Sequence, residues 1–126
     1  MKKPKAAGHY SPSVSFGNLI FTSGQLPVIN PATKEVPDSI EEQTLVTLQK
    51  IENLLQEKGL DRTHILKTTA FITDGNDWGK VNQVYADFFG SHKPARSIIP
   101  ISSLNYGAKI EIEAIAGGKA SINNVQ

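Results

Sequence analysis

The chain has 126 residues, room for one domain of ordinary size; a chain this long buries roughly two thirds of its unfolded surface and needs no disulfide or metal to hold it. Its 13 Lys and Arg against 12 Asp and Glu leave a net +1, a balance that argues against a surface built to track polyphosphate. Cysteine is absent, which removes disulfides, thiolate nucleophiles, thiolate zinc sites and iron–sulfur clusters together.

Lys2, Lys3 and Lys5 resemble the start of a signal peptide, but Ala6 to Tyr10 supply no apolar run after them. No stretch approaches the length of a membrane-spanning helix, so a cytoplasmic chain is expected. The first structured piece reads as a hairpin, Tyr10 to Phe16 and Leu19 to Ser23, turning at Gly17-Asn18. Gly24 to Asp38 carries Pro27, Pro31 and Pro37, which makes it a loop around a short extended piece.

Helix 1 has marked ends. Ser39 caps it, Glu42 completes an S-x-x-E capping box, and Gly59 supplies a left-handed stop. Ile40, Thr44, Leu48, Ile51, Leu54 and Leu55 share one face, with Glu42, Gln49, Asn53 and Glu57 opposite. Ile65 to Thr73 is a strand with apolar residues on both parities, which implies burial on both sides. Helix 2 runs from about Asp77 to Phe89 and stops at Gly90; Trp78, Val81, Tyr85, Phe88 and Phe89 form its apolar stripe, with Asn82 inside it. Arg96 to Ile101 reads as a strand broken by Pro100. Ala108 to Ala116 is the clearest strand, Ile110, Ile112 and Ala114 alternating with Lys109, Glu111 and Glu113. Gly117 to Gln126 is small and polar, a frayed tail.

The order hints at two ββα-like halves, with five or six strands in an α+β arrangement. Two helices cover one face of such a sheet, so the other face, carrying Phe71 or Ile72 and part of 98–101, calls for a second copy of the chain.

Arg96 and Glu111 are the first candidates for chemistry. A guanidinium presents two parallel donors and suits a small carboxylate better than lysine does; its competing role is a surface salt bridge. Strand parity puts Glu111 on the face that a partner copy would bury, where a carboxylate requires a cation, a donor or a trapped water; its competing role is an ion pair with Lys109 or Arg96. Asn82 and Tyr10 are weaker candidates: Asn82 either anchors a loop carbonyl or reaches a site, and the competing role of Tyr10 is plain packing. His9, His64 and His92 lack the spacing of a zinc helix, so no metal is expected. Neither G-x-S-x-G, nor a P-loop, nor G-x-G-x-x-G occurs, and no cofactor is expected.

Five segments in order then carry a resemblance: Gly8-His9-Tyr10-Ser11, Leu19 to Pro27 (LIFTSGQLP), Val81 to Tyr85 with Phe88-Phe89, Pro94-Ala95-Arg96-Ser97, and Glu111 to Ala116 (EIEAIA). From about residue 8 to 116 the chain resembles the RidA/YjgF family of enamine/imine deaminases. The resemblance implies a single RidA-like domain over 1–126, with its core at about 8–116 and a flexible tail at 117–126. It implies a chorismate-mutase-like α+β fold, a mixed sheet of ββαβ-βαββ type with two helices on one face, assembled as a homotrimer with clefts between subunits. It assigns Arg96 to the substrate carboxylate and Glu111 to a water near the imine carbon. Gly24 and Ile98 would add backbone contacts, while Tyr10 and Asn82 would line the site. The implied reaction is hydrolysis of 2-aminoacrylate or 2-iminopropionate to a 2-oxo acid and ammonia, without cofactor.

The chain departs from the family pattern at several positions. Ile98 stands for a cysteine or threonine that faces the ligand, Pro100 for a glutamate, Ser103 for an arginine, His9 for a proline and Pro12 for a glutamine. Two other functions compete: a regulatory trimer that binds 2-oxo acids without turnover, and the ribonuclease or translation inhibitor of the family's older name. The charge balance and the absence of an acid–base pair of histidines argue against the last, although Lys2 to Lys5 offer weak contact with RNA.

Overall fold

A computed structural model describes residues 8–118. The hairpin joins β1 (Ser13–Phe16) to β2 (Leu19–Thr22), with Ser13 opposite Thr22 and Phe16 opposite Leu19, around Gly17 at φ 58°. β1 starts three residues later than the sequence implies. Pro12 has no N–H to give to a ladder, although its carbonyl still accepts from Ser23 N at 2.8 Å. β2 ends one residue early, and Gln25 rejoins the sheet as an isolated bridge to Ile112. The short extended piece in the proline-rich loop is the bridge between Asn30 and Glu35.

α1 (Ile40–Gln56) starts at Ser39, whose Oγ accepts from Glu42 N at 3.1 Å; only this half of the expected capping box forms. Ile40, Thr44, Leu48, Ile51 and Leu55 are buried, while Leu54 is half-buried. At the C-terminus Gly59 adopts φ 78°, and Gly59 N and Leu60 N donate to Gln56 O and Leu55 O at 3.0 and 2.9 Å. This is the Schellman pattern that a glycine at that position permits. Gln43, buried at the other end, donates to Pro37 O and accepts from Lys109 N, tying the helix start to the foot of the last strand.

β3 (Ile65–Ile72) is central, antiparallel to β5 (Ile110–Gly117) and parallel to β4 (Ala95–Pro100), in a five-stranded sheet of order β1-β2-β5-β3-β4. The architecture is mixed α+β, with element order ββαβαββ. The extra strand of the ββαβ-βαββ expectation is missing because only 73–77 separate β3 from α2 (Trp78–Phe89), and they form a 3₁₀ turn started by Asp74.

Pro100 does not break β4. Ile101 N donates to Ile72 O at 2.8 Å, so alternation aims the position-100 nitrogen at the free edge, where no donor is needed. β5 starts two residues later than expected, because Ala108 N and Lys109 N are taken by Asn105 O and the Gln43 side chain. Gly117 lies inside β5, paired with Leu19, so the expected tail starts too early; 119–126 and Lys2, Lys3 and Lys5 lie outside the described residues.

Both helices pack on one face of the sheet. Ile72, Ile110, Ile112 and Ala114 point to that face and join Leu48, Ile51, Val81 and Phe88 in one core. The burial of β3 on both sides is not found within the single chain: Ile65, Thr68, Ala70 and Ile72 are buried, but Leu66, Thr69 and Phe71 are only half-covered. The open face also carries Val14, Phe21, Ile99 and Glu113, all exposed. Among the described residues no helix is long and apolar enough to cross a membrane.

Candidate active site

Arg96 is the second residue of the edge strand β4. Its register partner on β3 is Thr68, which is fully buried, so the Arg96 side chain leaves the sheet on the helix side. The guanidinium lies 4.9 Å from the ring centre of Tyr85 and 5.4 Å from that of Trp78. Neither the surface salt bridge nor a pairing with Glu111 forms: among the described residues Arg96 meets no carboxylate. It borders a cleft of about 450 Å³ between the end of α2 and β4, shared with Asn82, Tyr85, Phe89, His92 and Pro94. His92 Nε2 donates to Ile65 O at 2.7 Å, which holds the far wall.

Asn82 is exposed on the cleft rim, not inside the buried stripe. Val81, Tyr85 and Phe88, spaced i, i+4, i+7, set the packed direction of α2, and Asn82 is turned about 100° from Val81. Trp78, at the helix start, is 50% exposed and also stands outside the core.

Glu111 emerges on the opposite face of the sheet. Burial, and secondarily the Glu113 carboxylate, raise its carboxyl above the usual range. It has no hydrogen-bond or cationic partner among the described residues, and the expected competitor Lys109 donates instead to Asp38 O at 2.9 Å. Gly24 lies directly against it, since a β-carbon at position 24 would overlap the Glu111 carboxylate.

Glu111 pairs with Phe71, and Phe71 with Ile99. Arg96 is therefore two strands across and three residues along, roughly 14 Å away at Cα and on the other face. Tyr10, 57% exposed, enters the edge strand β1, four strand spacings from β4. One chain thus brings Asn82 to Arg96 and Gly24 to Glu111, and leaves Tyr10 with neither.

Ile98 stands where the resemblance places a backbone contact. Its side chain packs on the core, while the alternation that aims Ile101 N at β3 turns Ile98 N outward along the free edge. The substitution for cysteine or threonine thus occupies apolar space, and the backbone donor stays available. Thr68 and Tyr85 stand beside Arg96 without a sequence signal for it, because an aromatic at stripe spacing and a threonine inside a strand both read as packing.

A model of the endoribonuclease L-PSP family matches residues 1–117. The chain belongs to this family, the RidA/YjgF family. It is similar to the 2-iminobutanoate/2-iminopropanoate deaminase of Escherichia coli K12, at 44% identity with 90% of each chain covered. A RutC family protein of Pyrococcus abyssi is 42% identical, with 91% of each covered. Among solved structures, the YjgF gene product of E. coli superposes with a TM-score of 0.82 at 44% identity, covering 90% of this chain and 91% of that one. E. coli TdcF, solved with bound serine, gives 0.82 at 40% identity, covering 90% and 91%. These solved relatives thus share the overall fold of this chain.

Proposed function

We propose that the chain is a cytoplasmic, cofactor-independent hydrolase of small imino and enamino acids of the 2-iminopropionate and 2-aminoacrylate type. Arg96 binds the carboxylate of the substrate through its planar fork. Glu111 holds a water against C2 and takes its proton as the oxygen adds, giving a carbinolamine. The substrate in this step is the protonated imine, which the enamine forms by taking a proton at C3. The Glu111 proton then passes to the carbinolamine nitrogen, Glu111 takes the hydroxyl proton as the C–N bond breaks, and the 2-oxo acid remains while ammonia leaves and carries that last proton away. A carboxyl whose proton affinity is raised by burial is better matched to such transfers than an ordinary one. Gly24 leaves the space that Glu111 occupies, Ile98 N is an outward donor, and Asn82 and Tyr10 complete the walls.

The single observation that carries this reading is the pair of unmet charges. Among the described residues, a guanidinium without a carboxylate lines a cleft, and a half-buried carboxylate lacks a cation. Because the two lie on opposite faces of one sheet, we further propose that a homotrimer completes the site. Its copies would cover the open face with Phe21 and Ile99 and bring Tyr10 of one chain to the cleft of another. The name of the E. coli deaminase and the serine bound in E. coli TdcF support a small amino-acid-derived substrate.

The test is ammonia release from 2-aminoacrylate generated in place by a serine dehydratase. Arg96→Ala is expected to lower kcat/KM by on the order of 10²-fold. An unchanged rate overturns the assignment. Binding of pyruvate with no acceleration of ammonia release would instead establish the binding-only trimer.

A further inference from the structure

The side chains around Arg96 form a closed bracket. Tyr85 is 5% exposed, and its hydroxyl shares a 2.9 Å hydrogen bond with Thr68 Oγ1, which is fully buried. Thr68 is the β3 residue in register with Arg96. The strand position opposite the arginine therefore fixes the ring that the arginine's own guanidinium faces, while Trp78 stands on the outer side.

A purely packing role would not require the hydroxyl. Phe88 and Phe89 fill the same helix face with bare rings, and the buried Thr44 and Thr47 hydroxyls bond to carbonyls of their own helix. Burial pushes the Tyr85 phenol up to about 12, with the Thr68 bond and the Arg96 charge acting in the opposite direction. The ring is thus neutral near pH 7. A phenolate would engage the guanidinium as a counter-ion. A neutral ring attracts the cation through its face and leaves the N–H fork free for an incoming anion.

We propose that Tyr85, locked by Thr68, is a positioning residue that sets the direction of the Arg96 guanidinium for carboxylate capture. The inference rests on the reading of Arg96 as carboxylate receptor, and the experiment separates the two. Trp78 is the sole tryptophan of the chain, so its emission reports on the bracket directly.

The full-length protein is titrated with pyruvate, and with pyruvamide as the uncharged counterpart, following Trp78 emission and heat. Tyr85→Leu is expected to weaken pyruvate binding roughly 10-fold and Tyr85→Phe about 3-fold, with pyruvamide unaffected. Thr68→Val added to Tyr85→Phe should cost nothing more, because the hydrogen bond is already gone. In turnover, Tyr85→Phe should raise KM and leave kcat in place. If pyruvate binds Tyr85→Phe as it binds the wild type, or if both ligands weaken equally, the positioning role is overturned. Tyr85→Phe decides alone should Tyr85→Leu fail to fold. If Arg96→Ala binds pyruvate normally, the receptor reading itself fails; if Arg96→Ala loses pyruvate while the Tyr85 variants keep it, only the positioning inference does.

Discussion

Gly24 and Glu111 occupy each other's space: the missing side chain of one is where the carboxylate of the other lies. The obstructed atoms are the end of a flexible side chain, so Gly24→Ala should move the Glu111 carboxylate and leave the backbone in place. Displacing a catalytic group by about 1 Å can lower a rate about 10²-fold. Gly24→Ala is therefore expected to lose activity on this scale with its melting temperature nearly unchanged, measured by ammonia release and thermal unfolding. A melting temperature that falls with the activity would show that the glycine serves the fold instead.

The fork of Arg96 matters as much as its charge. Arg96→Lys keeps the positive charge but presents a point cation without the two parallel donors, and an ammonium on Tyr85 has a different reach. Arg96→Lys should recover only a small part of the activity lost in Arg96→Ala, chiefly as a raised KM. Steady-state kinetics of the two variants, side by side, check this.

Much of the framework was legible from residue patterns because local rules and burial agree there. Ser39, the Ile40–Leu55 stripe and Gly59 each state one end or one face of α1, and all three are found. The alternation of Ile110, Ile112 and Ala114 likewise marks the core side of β5. The errors at the strand starts share a theme, backbone donors that are taken elsewhere or missing. Lys109 N goes to Gln43, sixty-six residues away, and shortens β5 at its start; Pro12 cannot join a ladder and shortens β1. At the candidate site, residue type singles out Arg96, Glu111 and Asn82 as candidates, and Gly24 enters through the family resemblance alone. That Arg96 and Glu111 leave the sheet on opposite faces follows from the β3–β4 register, which no single segment encodes.

Away from the site, Arg62 clamps α1 to α2. Its Nε and Nη2 donate to the two carboxylate oxygens of Glu52 at 3.0 and 2.7 Å, Nη1 donates to Phe88 O at 2.7 Å, and the guanidinium lies 3.8 Å from the Phe88 ring centre. Glu52 is buried, so Arg62→Ala strands a charge on α1 and is expected to cost roughly 3 kcal/mol. The hydrogen bonds from Arg62 hold the Glu52 carboxyl below its usual range. That contribution is complete above the ordinary carboxyl value and is lost as pH falls through the lowered one. Acid titration of stability should therefore be steeper in the wild type than in Glu52→Gln. Equal slopes would remove the clamp as a stabilising element.

The open face gives an assembly prediction. Phe21 is 39% exposed there and lines a shallow depression with Thr69, Glu113 and Ile115. Phe21→Asp sets a second carboxylate near Glu113 and removes apolar surface that a neighbouring copy would cover. On the proposed trimer, the expected result is a shift from three chains to one in light scattering, with helix content retained and ammonia release lost. A variant that stays assembled and active would detach the proposed site from that face.

Glu111 carries the opposite sign from Glu52. Its carboxyl is raised, by burial first and by Glu113 second, so the folded chain binds the proton more tightly than the unfolded chain does. Ionised Glu111 thus opposes folding above the raised value. This cost is relieved as pH falls from that value toward the ordinary carboxyl range. Glu111→Gln removes the charge at every pH and should raise the melting temperature at pH 7, the difference from wild type shrinking on acidification. The same substitution takes away the base that accepts the proton of water, and should lower kcat by about 10²- to 10⁴-fold. A variant that gains stability while losing turnover is the signature of a carboxylate held for chemistry at the expense of the fold. A loss of both in thermal melts and ammonia assays would instead make Glu111 a structural group.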